Sequence, residues 1–132
     1  MENILLIINI ILCVGESYST YKTKKSIQFI KSQLKVLTKK TIKNTIIAYE
    51  PIWSIGTGLI PTNKNLQKII LFIRKILNKD YKSLKIKLLY GGSVNPKNIQ
   101  DLNKITQLDG YLIGGASQKQ HYFIDIIKKT IN

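Results

Sequence analysis

Short apolar runs and amphipathic stripes alternate four times along this chain. The runs are Ile10–Val14, Thr45–Tyr49, Ile86–Tyr90 and Gly110–Ile113, and each ends in a polar or glycine-rich turn. Between the first two, Ile27, Ile30, Leu34 and Leu37 recur at helical spacing. Leu66, Ile69, Ile70, Ile73 and Leu77 do the same before the third, with Asn63 or Asn65 as candidate N-cap. Asn95-Pro96 reads as a cap followed by proline at the first helical position, with Ile99 and Leu102 on one face. A last helix is expected from Gln120 to Ile131, turning Phe123, Ile127 and Ile131 inward. Continuous apolar strands alternating with amphipathic helices predict an α/β fold, a parallel sheet covered by helices. No linker or low-complexity tract interrupts the rhythm, so residues 1–132 read as one domain of modest size.

The first run extends backwards to Ile4, but Ile4 to Val14 is too short for a spanning helix, which needs about 20 residues. Met1-Glu2-Asn3 carries an acid where a signal peptide would carry bases. With one cysteine, Cys13, no intrachain disulfide can form, which fits a reducing compartment. A cytoplasmic protein without a membrane partner is expected. The formal charge of +14 invites a nucleic-acid reading. Only Arg74 among the 21 basic residues is arginine, the residue that supplies bidentate base and phosphate contacts, and the lysines are scattered. The surplus is read as compositional, with no nucleic-acid partner expected.

In parallel α/β folds, function gathers at the C-terminal ends of the strands. Every unusual feature of this chain falls there. The strand ends carry Cys13-Val14-Gly15-Glu16, then Glu50, then Gly91-Gly92-Ser93, then Gly114-Gly115-Ala116-Ser117. Paired glycines let the backbone approach a ligand closely and leave N–H groups free for an anion. Two such turns on successive strands suggest a phosphate cradle. Glu50 is followed at once by Pro51, Trp53 and the Gly56-Thr57-Gly58 tip, an arrangement that suits a general base with a closing lid.

Four phrases carry a resemblance: CVGES (13–17), AYEPIWSIGTG (48–58), LLYGGSVNPKN (88–98) and DGYLIGGASQ (109–118). In wording, order and spacing they resemble the C-terminal half of the triosephosphate isomerase family, and the likeness runs over essentially the whole chain. It implies the fifth to eighth βα units of a (β/α)8 barrel, half of a TIM barrel. It implies a triose phosphate substrate, proton transfer between dihydroxyacetone phosphate and glyceraldehyde 3-phosphate in glycolysis and gluconeogenesis, no cofactor or metal, and a homodimeric family. By position, Glu50 resembles the catalytic base. Gly56, Ser93, Gly114 and Gly115 resemble the positions whose N–H groups bind the substrate phosphate. Pro51, Trp53, Thr57 and Gly58 resemble parts of the lid, and Glu16 an acid near Tyr49 and Trp53. Cys13 is read as packing, and His121, in the last helix, as solvated.

The departures matter as much. The family's asparagine and lysine near the first strand have no counterpart, nor has the electrophilic histidine after the fourth, nor the loop that builds the dimer. Four of eight strands would also leave two sheet edges and an apolar inner face open. Met1 falls near the expected end of the preceding helix, as an internal restart would. Three outcomes stay open: a decayed gene fragment, one part of a split enzyme completed by an N-terminal half chain, or a half-barrel that self-associates. A non-catalytic half-barrel binding a phosphate or a protein partner is the alternative to catalysis.

Two differences are local. Ser54 stands where alanine is commoner. The second hinge ends in Pro61, which has no N–H for the hydroxyl of Tyr90 to engage, so that latch is expected to be missing. In a completed enzyme, Tyr90→Phe is therefore expected to change turnover by less than about tenfold, or 1.36 kcal/mol; steady-state kinetics giving a larger loss would refute the missing latch.

Overall fold

The computed structural model describes residues 8–82 and 84–131. The elements run β1 (Ile10–Val14), α1 (Tyr18–Lys22), α2 (Ser26–Leu34), β2 (Thr45–Tyr49), α3 (Asn63–Asp80), β3 (Leu88–Tyr90), α4 (Ile99–Leu102), β4 (Gly110–Tyr111) and α5 (Gln120–Ile131). The strands form one sheet in the order β1-β2-β3-β4, every pair parallel. This is the α/β parallel sheet with alternating helices that the sequence predicts. The expected apolar element before Asn9 lies partly outside the described residues.

Alternation along the strands sorts their side chains into two faces. Val14, Tyr49 and Tyr90 are in register on the face covered by helices, and all three are buried. Ile47 and Leu88 lie below them on that face, against the stripe Leu66, Ile70, Ile73 and Leu77 of α3 and Ile30 of α2, all fully buried. The opposite face carries Ile11, Cys13, Ile46 and Leu89, none of them fully buried. Ile10 and Ile11 on the unpaired edge of β1 are 42% and 47% exposed.

Several local expectations are corrected. Strand β3 begins at Leu88 rather than Ile86, because the Ile86 carbonyl accepts from the Arg74 guanidinium at 2.8 Å. Strand β4 stops at Tyr111 rather than Ile113; its neighbour β3 ends at Tyr90, which accepts one last bond from Leu112 N–H. The cap of α3 is Thr62, whose hydroxyl accepts from Asn65 N–H, while the Asn65 amide donates to Tyr21. Asn95 caps a turn rather than α4, accepting from the N–H groups of Lys97 and Asn98, and α4 starts at Ile99. In α5, Ile126 is the buried residue, whereas Phe123, Ile127 and Ile131 are exposed. That helix packs on α4 and on the Gly115–Gln118 turn, and no described element covers its other side.

The far end of the sheet is tied by Arg74. Its guanidinium donates to the Ile86 carbonyl, to the Gln107 carbonyl at 2.7 Å and to Asp109 Oδ2 at 2.8 Å. Asp109 and Leu88 close a ring: Leu88 N–H donates to Asp109 Oδ2, and Asp109 N–H to the Leu88 carbonyl, both at 2.8 Å. Burial alone would push the Asp109 carboxyl up, but the Leu88 N–H and Arg74 outweigh it and hold the carboxyl below its ordinary value. A depressed native pKa stabilises the fold above the unfolded carboxylate range, and that stability is lost as pH falls through the native value. Replacing Asp109 by Ala leaves Leu88 N–H unpaired and should cost about 1–3 kcal/mol at neutral pH. The difference should shrink near pH 2, where the parent carboxylate is itself protonated. Urea unfolding at the two pH values checks this; an equal difference at both would contradict it.

Candidate active site

Across the open face of the sheet, Cys13, Ala48, Leu89 and Gly110 stand in register. Two residues further along each of the first three strands come Gly15, Glu50 and Gly91, so the same alternation places Glu50 on the open face. The ladder holds that level: Glu50 N–H donates to the Val14 carbonyl at 2.7 Å and Gly91 N–H to the Tyr49 carbonyl at 2.9 Å. Glycine is required on both sides. A Cβ at Gly15 would run into the Glu50 carbonyl, and one at Gly91 would lie 2.6 Å from Glu50 Oε1. Glu50 itself is half-buried. Cys13 sits beneath it, and burial, then the Glu50 carboxylate, pushes its thiol up.

The turn after β1 is fixed from two sides. The Gln33 amide accepts from Gly15 N–H at 3.0 Å and donates to the Gly15 carbonyl at 3.2 Å. Glu16 is fully buried, and its carboxylate accepts from Ser26 at 3.0 Å and from the Tyr49 hydroxyl at 3.1 Å. A buried carboxylate survives only with such partners. Burial, then Glu16, holds the Tyr49 phenol well above its ordinary range. The Glu16 carbonyl accepts from Ile52 N–H at 3.0 Å, joining this turn to the start of the segment after Glu50.

That segment opens with buried Pro51 and a 3-10 turn over Ile52–Ser54. Trp53 packs on Tyr21 and Tyr18 of α1, with ring centroids 4.6 and 5.6 Å away. Its indole N–H is buried and finds no partner among the described residues, so Glu16 reaches this segment through the Ile52 backbone rather than by accepting from Trp53. Gly56 and Gly58 have φ of +69° and +77°, the left-handed region where a side chain is strained. The Thr57 hydroxyl donates to the Trp53 carbonyl and accepts from Leu59 N–H, holding the tip together.

Sequence reasoning flagged Ser54 only as an unusual residue. It is fully buried, and its hydroxyl meets the Leu59 carbonyl, the Tyr90 hydroxyl at 3.2 Å and Ser93 N–H at 3.1 Å. Tyr90 thus reaches the first hinge of the segment and not Pro61. Burial pushes the Tyr90 phenol up to about 12, against a lowering by Ser54.

Beside Glu50 lies a cleft of about 340 Å³. Gly56, Gly58, Ser93, Gly114 and Gly115 line it, and Gly91 belongs both to its wall and to the seat of Glu50. The N–H groups of Gly56 and Gly114 make no hydrogen bond among the described residues. Lys119 also lines the cleft, its ammonium 5.1 Å from the Tyr122 ring; the lysine-rich composition hid it from sequence reading. Among the described residues no cluster of three or more His, Cys, Asp or Glu side chains is placed to hold a metal, and no helix is long and apolar enough to cross a membrane. A half-buried carboxylate beside a cleft of free N–H groups suits moving a proton on a small anionic molecule.

Known proteins share this fold and these strand-end phrases over part of their length. The triosephosphate isomerase family model matches residues 5–130. The chain is 44% identical over 129 residues to triosephosphate isomerase of Neurospora crassa, covering 94% of this chain and 52% of that protein. To the enzyme of Mycoplasmopsis pulmonis it is 43% identical over 118 residues, covering 89% and 46%. A crystal structure of triosephosphate isomerase from Bartonella henselae superposes with a TM-score of 0.82 at 32% identity, covering 95% of this chain and 51% of that one. The chain therefore spans about half the length of the relatives it matches. With the fold, the strand-end phrases and the family match in agreement, the chain belongs to the triosephosphate isomerase family, as a partial member.

Proposed function

We propose that this chain carries the base, lid and phosphate cradle of a triosephosphate isomerase and works when an N-terminal half supplies the other four βα units. The observation that carries the reading is Glu50 on the open face, seated between Gly15 and Gly91 and sharing Gly91 with a cleft of N–H donors. In this reading the substrate's phosphate lies among Gly56, Ser93, Gly114 and Gly115. Lys119 adds positive charge at the wall of that cleft. Glu50 takes a proton from one carbon of the triose and returns it to the next, a step for which a positioned base supplies about 10²–10⁴-fold. The segment Pro51 to Pro61, with Trp53, Thr57 and Gly58, is the lid that excludes water from the reacting carbons.

The second half is needed for two physical reasons. The open face exposes Ile11 and Cys13, surface that a closed barrel buries. Among the described residues nothing opposite Glu50 polarises a carbonyl, and by the resemblance the family's electrophilic histidine and lysine lie in the other four units.

The test mixes the full 132-residue chain with an N-terminal half of the family and assays isomerisation. The mixture is expected to be active and each half alone inactive. Glu50→Asp, which draws the carboxylate back by about 1 Å, should lower kcat about 10²-fold. Gly91→Ala should do the same by displacing Glu50, with KM changed much less than kcat. An active mixture indifferent to both substitutions would refute the assignment of Glu50. An inactive mixture that forms a complex and binds phosphate would favour a non-catalytic half-barrel.

A further inference from the structure

Ser54 lies outside both the base and the phosphate cradle, yet its hydroxyl meets three partners. A serine hydroxyl has one proton to give and two lone pairs to receive with. Three groups surround it. The Leu59 carbonyl can only accept, so the Ser54 proton goes there. Ser93 N–H can only donate, so it takes one lone pair, at 3.1 Å. The Tyr90 hydroxyl must then donate to the other, at 3.2 Å. The assignment is unique and leaves the Ser54 hydroxyl saturated.

The three partners come from different places. Ser54 lies at the start of the lid, Leu59 toward its end, and Tyr90 and Ser93 follow β3. One buried hydroxyl thus draws the two ends of the lid together and fastens both to the next turn. It also uses Ser93 N–H, which lines the cleft. Pro61 leaves Tyr90 no N–H at the second hinge, and Ser54 gives that hydroxyl its partner within the lid.

We propose that Ser54 is a positioning residue that clasps the lid and competes with a bound phosphate for Ser93 N–H. The proposal rests on the reading of Ser93 as a phosphate donor given above. Phosphate entry then requires Ser93 N–H to leave Ser54, so anion binding loosens the clasp. An alanine here keeps the backbone free to follow the same path and removes the competitor.

The experiment uses the full chain, inorganic phosphate as probe and two readouts: amide hydrogen exchange at Ser93, and the emission of Trp53, the sole tryptophan. Ser54→Ala should speed exchange at Ser93 by roughly tenfold and tighten phosphate binding roughly two- to tenfold, the worth of one neutral hydrogen bond. Ser54→Thr, which keeps a hydroxyl, should restore slow exchange. Unchanged exchange in Ser54→Ala would overturn the clasp. Faster exchange with unchanged or weaker phosphate affinity would overturn the competition. In the unaltered chain, phosphate should shift Trp53 emission in step with the Ser93 resonance. A Ser93 shift with silent Trp53 would overturn the coupling even if the variants failed to fold. Phosphate binding by none of the proteins would overturn the phosphate site and the competition together, while exchange would still decide the clasp.

Discussion

Everything at this site depends on how closely three strand ends approach one another around Glu50. Register puts Gly15 and Gly91 beside it, and the absence of a side chain at both is what lets the carboxylate sit there. The surroundings defend that spacing. Gln33 holds Gly15 by two hydrogen bonds, and Glu16 is locked by Ser26 and Tyr49. Tyr49 and Tyr90, adjacent in register, spend their bulk on the helix-covered face and their hydroxyls on Glu16 and Ser54. Packing on one side of the sheet therefore positions chemistry on the other.

The two faces are unequal. The helix-covered face is a finished core, with Leu66, Ile70, Ile73, Ile47 and Leu88 fully buried. The other face and the β1 edge are unfinished, with Ile10, Ile11 and Cys13 exposed. The relatives the chain matches are about twice as long. Phe123 and Ile127 of α5 are likewise exposed, with no described element covering that side of the helix.

Much of this was legible in the sequence. The bounds of β1 and β2 agree with the apolar runs, because each is flanked by another strand's pairing or by a sharp polar turn. The place of Glu50 was legible because the apolar run of β2 stops at Tyr49, immediately before it. The inward face of α5 was not, because periodicity gives a stripe without saying which neighbours exist to cover it. Strand ends β3 and β4 were overdrawn where Arg74 and the end of the neighbouring strand cut the ladder. The Ser54 network joins residues up to 39 apart in the chain, and no local pattern announces it. Lys119 was one lysine among many until the fold placed it at the cleft.

Under the proposed function, the open face of this sheet becomes the inside of a barrel when an N-terminal half joins it. Cys13, the only cysteine, reports on that face directly. Its rate of alkylation should be measured in the chain alone and after adding an N-terminal half of the family. Labelling should slow by roughly tenfold or more in a one-to-one complex as the thiol enters the closed interior. A complex in which Cys13 labels as fast as in the chain alone would contradict closure of a barrel over this face.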